Sequence, residues 1–169
     1  MGYTHYFYTK PSMSQTNWNK LAEAVEKLLA DATILQYEYD MAKPVVCNKK
    51  EIRFNGIGDD GHETFLLKRN NKVADYLTDK SMAFAFCKTA CKPYDVYVTA
   101  VLTLAKYFLG KEIKLGSDGN VSAWQDGCQL IREKLNIYIG MEENPDAEYP
   151  QCVEDAIIKK DTKYAFEKS

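Results

Sequence analysis

The sequence predicts a single α+β domain over residues 1–169, with a mainly antiparallel sheet packed against three or four helices. Strand-like and helix-like segments follow one another in an irregular order, which favours α+β over a doubly wound parallel sheet. No linker or repeat divides the chain. The 169 residues, of which 46% are hydrophobic, supply enough apolar surface for one core.

The N-terminal segments predict a strand followed by a helix. Residues Tyr3 to Tyr8 are aromatic and β-branched, and their alternation places His5 on the same face as Tyr3 and Phe7. Ser14 is the expected N-cap of an amphipathic helix that runs to about Ala32, with apolar residues at three- and four-residue intervals. This strand is expected to open the sheet.

A hairpin is predicted in the next third of the chain. Glu51 to Asn55 and His62 to Lys68 have strand-like sequences, and the glycine-rich residues 56–61 join them. We expect the two strands to pair antiparallel.

The second half is expected to hold most of the helices. Ser81 to Ala90 is interpreted as a short helix, and Asp95 to Leu109 as a strongly buried helix that Gly110 ends. A strand over Glu112 to Leu115 and a last short helix after Pro150 complete the prediction. Between them, an amphipathic helix is indicated by an apolar stripe of Trp124, Cys128, Ile131 and Leu135.

Charge and hydropathy exclude several classes of protein. Twenty-two basic and 24 acidic residues give a net charge of −2, so a basic surface for bulk nucleic acid is not expected. Six lysines against two acids make residues 80–116 the region that attracts anions, whereas 137–169 is acidic. No membrane span or signal peptide is expected, and the predicted location is the cytoplasm.

The five cysteines are interpreted as reduced thiols, because their number is odd and they are widely spaced. Cys87 and Cys91 are four residues apart and would share one face of a helix, as half of a metal site would require. Small buried side chains are the simpler interpretation.

Both histidines lie in polar clusters. If His62 begins a strand, Thr64 lies on the same face, where a hydroxyl and an imidazole can reach one phosphate oxygen. Phosphoesterases of this His-x-Thr kind use two such elements, but Tyr6 and Phe7 follow His5 here. Two catalytic histidines, His5 and His62, are therefore one hypothesis, and two structural histidines are the other.

Acidic residues in the glycine-rich loop are weak candidates for a metal site. Asp59 and Asp60 would repel a phosphate unless a cation such as Mg²⁺ lay between them. Solvated turn residues are the alternative. We therefore expect no cofactor, with Mg²⁺ at this loop as the one candidate.

A basic cluster precedes the buried helix. On a helix, Lys88 and Lys92 would present two ammonium groups on one face, with the Thr89 hydroxyl beside them. Asp95 is interpreted as the cap of the long helix. Residues 117–119 are interpreted as a turn, with a ribose contact as the alternative.

Four motifs together resemble a family of small, uncharacterised proteins of bacteriophages and prophages, over about residues 1 to 125. They read GYTHY at the N-terminus, FNGIGDDGHETF at 54–65, FCKT followed by KPYD at 86–95, and SDG at 117–119. The resemblance implies a viral protein that acts in the bacterial cytoplasm. Some phage proteins of this size neutralise nucleotide second messengers of bacterial immunity, which gives the expectation its context.

The leading hypothesis from the sequence is a module that binds and sequesters a phosphorylated, nucleotide-like small molecule. A phosphodiesterase that uses His5 and His62 as acid and base is the first alternative, and an inhibitor that blocks a host enzyme through residues 137–169 is the second. Assembly into a homo-oligomer is left open, and no membrane partner is expected. The predicted ligand-binding residues are Thr4, His5, Asn55, His62, Thr64, Lys88, Thr89, Lys92 and Tyr94.

Overall fold

A computed structural model describes residues 2–38 and 42–161; the last eight residues of the acidic segment lie outside the described part. Three α-helices and several antiparallel sheets confirm the α+β fold. The helices are α1 (Gln15–Leu29), α2 (Asp95–Leu109) and α3 (Gln125–Leu135). The strands are β1 (Thr4–Thr9), β2 (Leu35–Gln36), β3 (Val46–Cys47), β4 (Glu51–Gly56), β5 (Phe65–Lys68), β6 (Ala83–Lys88), β7 (Ile113–Ser117), β8 (Tyr138–Glu142) and β9 (Ile157–Asp161).

The central sheet has three strands in the order β6-β1-β7, with β1 in the middle and both pairings antiparallel. In this register Thr4 pairs with Lys88, and His5 pairs with Ser117 on the other side. The start of β1 therefore lies between the carboxyl ends of β6 and β7. The cluster around His5, the basic cluster that begins at Lys88 and residues 117–119 therefore meet at this end of the sheet.

A second sheet is built around β4, which pairs antiparallel with β2, β3 and β5. The predicted hairpin is thus confirmed as β4 and β5. However, β5 begins at Phe65, so the expected strand position of His62 is wrong. The pair β8 and β9 forms a separate hairpin that the sequence did not predict.

The helices supply much of the core. Trp18, Leu21, Val25 and Leu28 form the buried stripe of α1, as their spacing predicts. Ten of the fifteen residues of α2 are buried, which confirms a helix enclosed on several sides by α1, α3 and β7. Gly110 ends α2 at a φ of 57°, with its N–H donating to the Lys106 carbonyl.

Two predicted helices take another form. Residues 83–88 alternate between alanine or cysteine and phenylalanine or lysine, and this period of two pairs along the whole of β1 as strand β6. Lys88 and Lys92, like Cys87 and Cys91, therefore share no helix face. After Pro150 the chain forms only a single 3₁₀ turn at Val153–Asp155, and β9 follows.

None of the helices among the described residues combines the length and the apolar character needed to cross a bilayer.

The contact between α2 and α3 depends on Gly127. A Cβ atom at this position would lie 2.9 Å from the backbone nitrogen of Ala100, and closer still to Oγ1 of Thr99. Both neighbours belong to the buried face of α2. The absence of a side chain at Gly127 therefore sets how closely the two helices approach.

We expect Gly127→Ala to lower the free energy of unfolding by about 1–3 kcal/mol, because the added methyl group must push α3 away from α2. Urea unfolding followed by circular dichroism measures the loss. Gly140→Ala is the matched control, since a Cβ atom there meets nothing within 4 Å. Equal stability of the two variants would contradict the close approach of the helices.

Candidate functional site

The end of the central sheet holds a group of polar side chains, which we call the sheet-end cluster: Tyr3, His5, Thr89, Asp95 and Ser117. The β1 strand contributes His5, β7 contributes Ser117, and the first turn of α2 contributes Asp95. These three elements meet here because β1 begins where β7 ends and where the chain leaves β6 toward α2. The cluster thus joins residues more than 80 positions apart.

His5 is the centre of the cluster. Its side chain is fully buried, and its Nε2 lies 2.7 Å from Oδ1 of Asp95. Its Nδ1 lies 2.8 Å from Oγ of Ser117. Both polar atoms of the ring therefore have partners, which removes the cost of burying them.

The hydrogen bonds around Ser117 fix the proton on His5. Its Oγ accepts from the backbone N–H of Gly119 at 2.9 Å and from Nε1–H of Trp124 at 3.3 Å. The hydroxyl proton of Ser117 is then donated to Nδ1 of His5, so the ring proton lies on Nε2 and is donated to Asp95.

This Asp–His–Ser chain has the order of a catalytic triad, but its serine is not free to attack a substrate. The two lone pairs of the Ser117 oxygen already accept hydrogen bonds, and a nucleophile needs one of them. The imidazole of His5 is also enclosed by the rings of Tyr3 and Trp124, with centroids 5.1 and 5.2 Å away. The chain therefore holds the three elements in place.

Asp95 accepts a second hydrogen bond, from the hydroxyl of Thr89 at 2.5 Å. It lies in the first turn of α2, where the helix dipole favours a negative charge. Asp95 was expected to cap this helix, but the structure places Tyr94 at the N-cap and Oδ1 of Asp95 against His5. Its side chain is 20% exposed, so the carboxylate connects the buried cluster with the surface.

The pKa of the Tyr3 hydroxyl is raised, mainly by burial and then by the negative charge of Asp95. Tyr3 therefore remains a neutral phenol at physiological pH. Its ring stands at 89° to the His5 ring, with the two centroids 5.1 Å apart.

A tight turn over Thr89–Lys92 leads from β6 to α2. Ala90 and Cys91 have φ values of 52° and 56°, and the N–H of Lys92 donates to the Thr89 carbonyl at 3.0 Å. Two successive left-handed residues without glycine are energetically unfavourable, and such strain tends to cluster at functional sites. The Tyr3 carbonyl holds the turn by accepting the N–H groups of Thr89 and Ala90.

The glycine-rich loop is closed by Asn55, which is fully buried. Its Oδ1 accepts from the N–H groups of Gly56 and His62, and its Nδ2 donates to the His62 carbonyl and to Oγ1 of Thr64. Asn55 was predicted to bind a ligand, but all its hydrogen-bonding capacity goes to the loop. In this structure the side chain stabilises the loop, and its contact with a ligand stays a prediction.

Glu63 docks this loop onto β6. Its N–H donates to the Lys88 carbonyl at 3.2 Å, and its carboxylate accepts from the Lys88 N–H at 2.8 Å. The Tyr94 hydroxyl donates to the Glu63 carbonyl at 2.5 Å. His62, adjacent to Glu63, therefore lies on the same edge of the molecule as Lys88.

The structure divides the predicted ligand-binding residues into two groups. Buried residues, unable to touch a ligand from solvent, are Thr4, His5, Asn55, Thr89 and Tyr94. The partly or fully exposed residues are His62, Thr64, Lys88 and Lys92. Each member of the buried group faces the core or a neighbouring element in this structure, so the exposed group offers the surface contacts. Both ring nitrogens of His5 are bonded within the protein.

Lys88 and Lys92 flank the strained turn at the surface, and we call them the rim lysines. No carboxylate among the described residues lies within 4.0 Å of either ammonium group, whereas Lys27, Lys134 and Lys159 have such partners. The side chain of Lys88 lies against Gly2 at the start of the described chain. The rim lysines are therefore available to an external anion.

The metal candidates do not assemble into a site. Asp59 and Asp60 form a 3₁₀ turn with Gly58 at the tip of the loop. The described ranges hold no group of three histidine, cysteine or acidic side chains placed to bind a metal ion. The five cysteines are free thiols, and burial raises the pKa of Cys47 and Cys87 to about 12.

A shallow concavity of about 520 Å³ opens beside the sheet-end cluster and is lined by Ser117, Asp118 and Gly119, with Cys152 opposite. Asp118 anchors this side, since its carboxylate accepts from the Thr4 N–H and from the Tyr6 hydroxyl. No lysine lines the concavity, so it favours phosphate binding less than the rim lysines do.

Sequence reasoning missed Asp95 and Ser117 as partners of His5. One signal was available, because the alternation of β1 already placed His5 on the inward face with Tyr3 and Phe7. A buried imidazole needs two polar partners. Which two residues supply them depends on how distant segments pair, and local spacing does not contain that information.

Comparison of the chain with protein-family models, curated proteins and solved structures found no significant match. The function must therefore be argued from the site itself.

We expect Asp95→Ala to destabilise the protein by about 2–3 kcal/mol, because it leaves Nε2–H of buried His5 without an acceptor. Asp126→Ala is the control, since Asp126 is also an acidic first-turn residue, in α3, but is exposed. Removing its dipole interaction costs under about 1 kcal/mol. Urea unfolding measures both variants, and equal losses would contradict the role of Asp95 as the partner of His5.

Alkylation of Cys91 reports the charge on Asp95. Cys91 is exposed, and its pKa is raised by desolvation and by the nearby Asp95 carboxylate. Asp95→Asn is expected to lower that pKa and so raise the rate of iodoacetamide labelling near neutral pH, because more thiolate forms. Mass spectrometry measures the rate at each thiol. Asp126→Asn is the control and should leave the labelling rate at Cys91 unchanged. An unchanged rate in Asp95→Asn would show that Asp95 and Cys91 do not interact.

Proposed function

We propose that the protein binds and sequesters a phosphorylated, nucleotide-like small molecule at the rim of the sheet-end cluster. The observation that carries this proposal is the pair of rim lysines, which flank a strained turn at the start of α2 and have no carboxylate of the described residues within 4.0 Å. A phosphate between them gains two charge-assisted hydrogen bonds.

Local electrostatics support an anion at this place. The positive end of the α2 dipole points toward the turn, and the first turn of that helix contains one acid, Asp95, which is directed at His5. The nearby Glu63 carboxylate is engaged by the backbone N–H of Lys88. Neither acid therefore neutralises a lysine ammonium group directly.

The buried hydrogen bonds favour binding over turnover. A phosphodiesterase needs an acid and a base that reach the phosphoryl group, and His5 is enclosed with both nitrogens bonded. His62 is exposed, but a second histidine does not accompany it at the rim. A rigid inner cluster with a cationic rim suits a site that holds its ligand unchanged.

In the phage setting that the sequence motifs imply, tight binding would withdraw a nucleotide signal from the host. Sequestration needs no turnover, only a protein concentration comparable with that of the signal and a dissociation constant below it. This consequence is part of the proposal.

Isothermal titration tests the proposal with pyrophosphate, ribose 5-phosphate, ADP, cyclic di-AMP and cyclic ADP-ribose. We expect at least one of these ligands to bind, and the double variant Lys88→Ala/Lys92→Ala to weaken its affinity about ten-fold or more, since each charge-assisted hydrogen bond contributes about 1.5–3 kcal/mol. Lys20→Ala/Lys111→Ala removes the same charge from two lysines on other elements and serves as the control.

Two results would contradict the proposal: no ligand of the panel binds, or the two double variants lose affinity equally. Chromatography of each ligand after incubation separates binding from cleavage. Intact ligand recovered from heat-denatured protein is expected, whereas a product that disappears in His62→Ala would favour a phosphodiesterase.

A further inference from the structure

We infer that the outer face of the central sheet is a stacking surface for the nucleobase of this ligand, an inference that rests on the proposed function. The face carries four aromatic rings, Tyr6, Tyr8, Phe84 and Phe86, which we call the ring face. It meets the rim at Lys88. The expected occupant is therefore a nucleotide, with its phosphate at the rim and its base over the rings nearest to it.

The period of two along β1 and β6 creates the ring face. His5 and Phe7 point into the core, so Tyr6 and Tyr8 point outward. On β6, Phe86 pairs with Tyr6, and Phe84 pairs with Tyr8. The neighbouring rings lie close to each other, with centroids 6.3 Å apart for Tyr6 and Phe84, 4.9 Å for Tyr8 and Phe84, and 6.0 Å for Phe84 and Phe86.

Two of the four rings are exposed to solvent, and the other two, Tyr6 and Phe84, are partly buried. Phe86 is 54% exposed and Tyr8 is 40% exposed, whereas Phe7, the inward residue between Tyr6 and Tyr8, is 2% exposed. A group of exposed aromatic residues on adjacent strands is unusual for a soluble protein and marks a binding surface. Aromatic rings on an open sheet face are a common means of holding nucleobases, because every base has a flat π-surface.

Charge distinguishes the two ends of the ring face. Lys88 follows Phe86 by two residues and therefore projects from the same face of β6, about 7 Å further along the strand. The Lys88 end also holds one acid, Asp118, whose carboxylate accepts from the Tyr6 hydroxyl. The other end is more acidic, since the concavity beside Tyr8 is lined by two acids, Asp79 and Glu154, and one lysine, Lys114. A phosphate is favoured at the Lys88 end, which places the base over Phe86 and Tyr6.

The same charges disfavour other occupants. A nucleic-acid strand along the sheet would carry its phosphates past Asp79 and Glu154, and the net charge of the chain is −2. A single small nucleotide uses the cationic end alone.

The test compares ligands with and without a base, using the full-length chain. We expect ADP or cyclic di-AMP to bind about ten-fold more tightly than ribose 5-phosphate or pyrophosphate, a margin typical of one stacked base. Phe86→Ala should abolish this difference in affinity and leave the affinity for the base-free ligands unchanged. Tyr149→Ala, which removes an exposed ring elsewhere, should preserve this difference in affinity.

A second variant keeps the ring and adds a signal. Phe86→Trp places an exposed indole on the ring face, whereas the native Trp18 and Trp124 are fully buried. Its fluorescence should be quenched by ADP but not by pyrophosphate. Loss of folding in Phe86→Ala would not affect this readout.

The outcomes separate the inference from the proposed function. If pyrophosphate binds through the rim lysines but ADP binds no more tightly, or if Phe86→Ala keeps the margin, the stacking surface is wrong and phosphate binding stands. If ADP binds no more tightly than the base-free ligands, and sedimentation shows a dimer that Phe86→Ala dissociates, the face binds a second copy and the inference is overturned. If no ligand of the panel binds, both fall together.

Discussion

Burial of His5 is the constraint on which the rest of the candidate site depends. An imidazole enclosed at the centre of a sheet must have partners for both nitrogens, because each unpaired polar group would cost about 1–3 kcal/mol. Asp95 and Ser117 supply them from two other elements. The start of β1, the end of β7 and the first turn of α2 are thereby held in one arrangement, and the Thr89–Lys92 turn must fit between β6 and α2.

That arrangement explains why an unfavourable turn persists. Ala90 and Cys91 adopt left-handed conformations because the chain must turn within the six residues between Lys88, fixed in its pairing with Thr4, and Asp95, fixed by His5. Hydrogen bonds from the turn to the Tyr3 carbonyl offset part of the strain. The positions of the rim lysines at the two sides of this turn are therefore set by the buried contacts, and not by contacts that the lysine side chains make.

Local pattern predicted the elements well where one signal dominated. The stripe of α1, the enclosed α2 and its Gly110 cap all follow from spacing and from glycine chemistry. The segment 83–88 was wrongly predicted as part of a helix over Ser81 to Ala90, although its alternation has the period of a strand and β1 was available to pair with it. The meeting of the polar clusters at one sheet end was predictable, but the contacts of Asp95 and Ser117 depend on tertiary pairing.

The two faces of the central sheet carry different chemistry at the same end. On the inner face, both ring nitrogens of His5 are bonded within the protein, so the ring contributes rigidity and no free donor. On the outer face, Phe86 and Lys88 are left without comparable partners among the described residues, one as an exposed ring and the other as a cation with no carboxylate within 4.0 Å. Because successive residues of a strand alternate between faces, the rigid inner contacts fix the backbone from which the outer side chains project. Preorganisation of this kind reduces the entropy lost when a ligand binds, so the buried histidine contributes to affinity without touching the ligand.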